Sequence, residues 1–186
     1  MKLNKLSAFY LASVAAPLLA VLCGVSASAY AATDQATITV SGTVKSNTCT
    51  IEKTTFSPTL PPVSDRDIKG VGKISSVSSK IPVILKNCGA GVSTVKVTAS
   101  GDQGPGKGDY FANSVAVANG GANGVGIIFY KTDGAPFNST GSITENSKLT
   151  ASADTTLNYE AKYIGTSDTV SAGTVKTAIT MKFEYQ

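Results

Sequence analysis

The chain has 186 residues, of which 15% are charged, with a formal net charge of +4 and neither His nor Trp. That length suits one domain of ordinary size, and 42% hydrophobic residues supply a packed core and exclude a disordered chain. The lack of histidine excludes His-dependent triads, histidine bases and His-ligated metals, and the mild, dispersed positive charge gives no basis for nucleic-acid binding. With 21 Ser and 22 Thr, solubility rests on uncharged hydroxyls.

The chain opens with Lys2 and Lys5, continues through the apolar run Leu6 to Val25, and reaches small residues at Ala27-Ser28-Ala29. This is the layout of a secretory signal peptide over residues 1–29, with Ala29-Tyr30-Ala31 a second cleavage site that moves the boundary to 31. A retained membrane helix is the competing reading, since the apolar run only just reaches a spanning length. The polar Thr33-Asp34-Gln35 that follows favours removal. Leu22 before Cys23 is too large for a lipid-attachment site. Removal takes away two lysines and Cys23, leaving a charge of +2 and two cysteines, Cys49 and Cys88. An even pair in an exported chain reads as a disulfide. A metal or redox pair is the alternative, but further soft ligands and a C-x-x-C spacing are missing.

From there the pattern alternates with period two, the signature of half-buried strands. Ala36, Ile38 and Val40 alternate with Thr37, Thr39 and Ser41. Ile81, Val83 and Leu85 precede Asn87-Cys88, and Val95 and Val97 follow. Leu157, Tyr159, Ala161 and Tyr163 share one face of a later run. In the last and longest run, Val175, Thr177, Ile179, Met181, Phe183 and Tyr185 share a face. Turn signals separate the runs, among them Pro61-Pro62, Asn119-Gly120, Asn123-Gly124 and Asp133-Gly134. Short strands at this spacing predict an all-β, two-sheet sandwich in a single domain over residues 42–186, preceded by an N-terminal arm over residues 30–41. The chain therefore begins and ends on strands with apolar faces. Exposed strand edges template association unless something suppresses them, and neither end carries a blocking proline.

Several segments, taken in order, resemble one family. They are Gly42-Thr43-Val44 before Cys49-Thr50-Ile51, the run Ile81 to Cys88, Gly124-Val125-Gly126-Ile127, and Leu157-Asn158-Tyr159-Glu160-Ala161-Lys162-Tyr163. At the end, Gly173 stands fourteenth from the C-terminus and Tyr185 is penultimate. Together they are similar to type 1-type pilins, fimbrial subunits of the chaperone–usher pathway of Gram-negative bacteria. The resemblance implies an incomplete immunoglobulin-like β-sandwich that lacks its final strand and is completed by donor-strand complementation, a form of β-augmentation. It implies a donor arm with Ala36, Ile38 and Val40 facing inward. It implies a groove bordered by Gly173 to Gln186, with Val175, Ile179, Met181, Phe183 and Tyr185 forming its floor and the carboxylate of Gln186 held by basic residues of the chaperone. Many such pilins carry a glycine in mid-arm; here no glycine precedes Gly42, and Ala36 stands about where it is expected. The implied partners are a periplasmic pilus chaperone, an outer-membrane usher and neighbouring fimbrial subunits, with a host glycan reached through the assembled fibre. The implied location is a fimbrium on the bacterial surface, and no cofactor or metal is implied.

Two other readings stand beside this one. A carbohydrate-binding β-sandwich, or a minor or tip subunit, would use Phe111, Phe129, Tyr130, Phe137, Tyr159 and Tyr163 as stacking faces for sugar. Asp65, Asp67, Asp102, Asp109 and Glu145 offer oxygen ligands, but the D-x-D-x-D-G loop of a calcium site is absent. No motif positions a base beside any Ser or Thr, so no enzyme is expected.

Overall fold

The computed structural model describes residues 38–44, 46, 48–104 and 109–186. The predicted signal peptide and Ala36 lie outside the described residues. The chain divides after Ser41. In the first unit, residues 38–41 lie outside any helix or strand, with Ile38 and Val40 84% and 89% exposed.

Among its described residues the second unit, Gly42–Gln186, holds eight strands. These are β1 (Thr50–Ile51), β2 (Ile74–Lys86), β3 (Thr94–Gly101), β4 (Phe111–Ala112), β5 (Val125–Tyr130), β6 (Thr140–Lys148), β7 (Thr155–Gly165) and β8 (Ile179–Tyr185). They form two antiparallel sheets, of order β1-β2-β7-β5-β4 and β6-β3-β8. Alternation explains the packing between them. Ile81, Val83 and Leu85 of β2 and Leu157, Tyr159 and Ala161 of β7 turn inward from one sheet, and Val95, Val97 and Ala99 of β3 from the other. All nine are buried in a single core cluster, the two-sheet arrangement that the sequence predicts.

An aromatic group fills the centre. Phe129 lies 5.8 Å from Phe137, 5.6 Å from Tyr159 and 6.4 Å from Phe111 between ring centroids, the last at 86°. Such pairs contribute about 0.5–1.5 kcal/mol each beyond their burial. Four of the six aromatics that could have stacked on sugar are thus inside the core.

Cys49 and Cys88 form a disulfide that ties the start of β1 to the end of β2. The cross-link closes a separation of 39 residues, and the loop-entropy model assigns about 4 kcal/mol to a loop of that length. Close approach also constrains Gly165 at the end of β7. A Cβ there would stand 2.0 Å from the Ile68 carbonyl oxygen, so no larger residue fits against that loop.

Two expectations change in the structure. The last alternating run is not one strand. Ladder pairing begins only at Ile179, because residues 174–176 turn away to bond the 113–122 loop. The second change is β6, a strand with no apolar alternation. It sits at the edge of its sheet with most of its side chains exposed, and its buried member is Glu145.

Candidate interaction groove

The strand β8 pairs with β3 alone, so its other edge is free among the described residues. The register runs Val95↔Tyr185, Val97↔Phe183, Ala99↔Met181 and Gly101↔Ile179. Just beyond the strand, Thr94 and Gln186 exchange both backbone bonds, at 3.0 and 2.9 Å. In an antiparallel ladder such bonded pairs alternate with unbonded ones. Thr180, Lys182 and Glu184 therefore direct their backbone groups to β3, and Ile179, Met181, Phe183 and Tyr185 direct theirs to the open edge. Those same four residues carry the side chains that pack against the core. The opposite face of β8 is solvated. There Glu184 meets Lys182 at 2.6 Å and Lys96 at 3.4 Å, and its carboxyl is held below the usual range, first by the Lys182 hydrogen bond.

Beside that edge runs a groove of about 840 Å³. Its floor is Ile81 and Val83 of β2, Ile127 and Phe129 of β5, and Ala161 and Tyr163 of β7. One wall is Val175 to Ala178 with Ile179, Met181 and Phe183. The other wall is the irregular segment from Lys53 to Leu60, anchored by Phe56 and Leu60 packing onto the core. The lining carries Lys53 and Lys176 and no acid. Within it the Thr177 hydroxyl is buried without a partner among the described residues, as is the Tyr185 hydroxyl near the end of the strand. Burial raises the phenol pKa of both Tyr163 and Tyr185. An arrangement of this kind, an apolar floor beside one free backbone edge, is suited to hold an extended peptide.

The residues singled out in the sequence fall as follows. Val175, Ile179, Met181 and Phe183 line the groove, while Tyr185 packs on the core beyond it. Gly173 lies away from the groove, where a Cβ would meet Gly121 and Ala122 within 2.4–2.7 Å. The main-chain oxygen of Gln186 accepts the Ser93 and Thr94 N–H groups at 2.8 and 3.0 Å.

Asn113 is the residue that sequence reasoning missed. Its Oδ1 accepts the Val115 and Lys176 N–H groups at 3.1 and 3.0 Å. Its Nδ2 donates to the Ala122 and Thr174 carbonyls at 3.1 and 3.0 Å. One side chain thereby fixes the wall segment that leads into β8. A lone Asn-Ser pair between turns carries no pattern that announces this.

Fold and groove together define a β-sandwich with a free sheet edge beside an apolar cleft. Residues 38–186 match the family model described as fimbrial protein, and the chain belongs to that family. It is a structural family rather than an enzyme class, and its members are exported and assembled into fimbriae at the cell surface. Among solved structures, a Burkholderia pseudomallei antigen and type I fimbria protein is 28% identical, with a TM-score of 0.56 over 74% of this chain and 89% of that one. The P pilus rod subunit PapA is 19% identical, with a TM-score of 0.60 over 74% of this chain and 99% of that one. A chaperone–usher pilus structure is 21% identical, with a TM-score of 0.62 over 82% of this chain and 96% of that one. The last two carry the likeness of fold.

Proposed function

We propose that this chain is a polymerising subunit of a chaperone–usher pilus, joined to its neighbour by an extended arm that enters the groove. The observation that carries the reading is the free edge of β8 beside the groove of about 840 Å³. The arm is the N-terminal segment of a neighbouring subunit. Ile38, Val40 and Val44 are 84%, 89% and 99% exposed, and among the described residues no strand begins before Thr50. Their spacing is even, so the inward face of the arm runs past Ser41, with Gly42 on the same face, and ends at Val44.

An arm bound there gains backbone hydrogen bonds along the β8 edge and buries its apolar side chains. Each fully buried Val or Ile contributes about 1.5–3 kcal/mol, less the cost of association. A periplasmic chaperone supplies a temporary strand to the same groove, and the usher is where the arm replaces it. The Gln186 carboxylate serves as the chaperone's contact through its second oxygen.

Thermal unfolding of two proteins tests the reading. One is residues 32–186; the other repeats residues 32–44 after a Gly/Ser linker at the C-terminus. The second should melt tens of degrees higher and stay monomeric. Equal melting with a monomeric plain chain would show a self-sufficient sandwich and end the proposal.

A further inference from the structure

Three junctions in the described chain set a glycine directly after an asparagine or aspartate: Asn119–Gly120, Asn123–Gly124 and Asp133–Gly134. At two of them the glycine nitrogen is engaged. The Gly120 N–H donates to the Val117 carbonyl at 3.0 Å, and the Gly134 N–H to the Lys131 carbonyl at 3.1 Å. Asp133 is tied down as well, by the Ala135 N–H at 2.9 Å and the Lys131 ammonium at 3.1 Å. The third junction differs. Asn123 is exposed, and among the described residues its carboxamide makes no hydrogen bond and the Gly124 N–H donates none.

We propose that Asn123 is a site of spontaneous deamidation in the folded protein. The Gly124 nitrogen, unshielded by any Cβ, attacks Cγ of Asn123 while a solvent base takes its proton. The Cγ–Nδ2 bond breaks and ammonia leaves, closing a cyclic imide. Water then opens the ring at either carbonyl, giving aspartate or isoaspartate, with no change of oxidation state. Isoaspartate routes the backbone through the side chain and lengthens it by one methylene. The Asn123 carbonyl accepts the Ser171 N–H at 3.2 Å, and the Asn123 N–H donates to the Ser171 hydroxyl at 3.3 Å. Rerouting would break that pairing. The loop concerned leads through Thr174 and Lys176 into the groove wall, so the modification loosens one end of that wall as the protein ages.

The test is timed incubation of the folded protein at mildly alkaline pH, with peptide mapping by mass spectrometry and enzymatic methylation of isoaspartate. In the folded protein Asn123 should convert severalfold faster than Asn119. In the reduced, denatured chain the two should convert alike. Asn123→Gln should remove the main acidic species, and Asn119→Gln should leave it. Equal or faster conversion at Asn119 in the folded protein would overturn the proposal. So would an intact Asn123 under conditions that deamidate the denatured chain.

Discussion

The Ser75 hydroxyl accepts the Tyr163 N–H at 3.1 Å and donates to the Val77 carbonyl at 2.8 Å. It spans the place where β2 and β7 lose register, between Ile74↔Ile164 and Ser78↔Lys162. Three residues of β2 oppose Tyr163 alone there, and the hydroxyl takes the place of the missing ladder bond. Because Tyr163 forms part of the groove floor, the bulge also sets the position of that ring. Ser75 is 4% exposed, so Ser75→Ala strands a buried N–H. A loss of about 1–3 kcal/mol is expected, read as a lower urea midpoint with an unchanged slope.

Asn113→Ala should act on the groove without touching the core. It removes the two acceptor and two donor contacts that hold Val115, Lys176, Ala122 and Thr174. A cost of about 1–3 kcal/mol is expected. Faster amide hydrogen exchange should be confined to residues 174–178 and the 113–122 loop. Exchange spread evenly through both sheets would contradict this role.

Tyr159 gives a prediction with a pH sign. Its ring is fully buried, and among the described residues neither its hydroxyl nor Glu145 Oε2 has a partner within full hydrogen-bond distance, the phenol's polar neighbour being the Glu145 carboxylate. The other oxygen of Glu145 is occupied by the Thr132 hydroxyl, by the Thr132 N–H at 3.3 Å and by Ser147 at 3.1 Å. Burial, and after it the charge of Glu145, push the Tyr159 phenol far above its ordinary pKa. The folded state therefore keeps its proton where the unfolded chain loses it. The effect is absent below about pH 10, the ordinary tyrosine value, and destabilises progressively as pH rises above it. Tyr159→Phe should flatten the alkaline limb of a stability–pH curve.

Adjacent residues of β8 should behave oppositely in assembly. Met181 lines the groove, and Lys182 faces solvent. Met181→Asp should abolish binding of a peptide spanning residues 32–44, and Lys182→Asp should leave it within a few-fold of wild type. Circular dichroism on both variants separates a lost groove from a lost fold. Equal effects from the two would remove the groove from the assembly mechanism.

The alternation of Ile81 to Leu85, Val95 to Val97 and Leu157 to Tyr163 was legible because each run buries one face and wets the other. The edge strand β6 was not legible. Burying only one face of a marginal strand, it needs no apolar repeat, and Thr140, Ser142 and Thr144 fit an exposed edge as well as a loop. The break before Ile179 was hidden for a different reason. Alternation continues unbroken from Val175, and it is the distant 113–122 loop, through its backbone and the Asn113 side chain, that turns that stretch off the ladder. The groove itself was implied by resemblance rather than by pattern. No local signal states that a strand's second edge stays empty, because that depends on what the rest of the chain leaves uncovered.

Backbone and side-chain direction are locked in phase along a strand, and in β8 this divides labour residue by residue. Thr180, Lys182 and Glu184 hold the strand to β3 and show the solvent their side chains. Ile179, Met181 and Phe183 give their amides to the open edge and their side chains to the core and the groove. Folding and joining are thus written into alternate codons of one short segment. A proline at 182 would cut the strand from its own sheet, whereas one at 181 would take a hydrogen-bond donor from the outer edge and leave the inner ladder whole. Backbone pairing at the outer edge can thus change while the inner ladder to β3 stays whole.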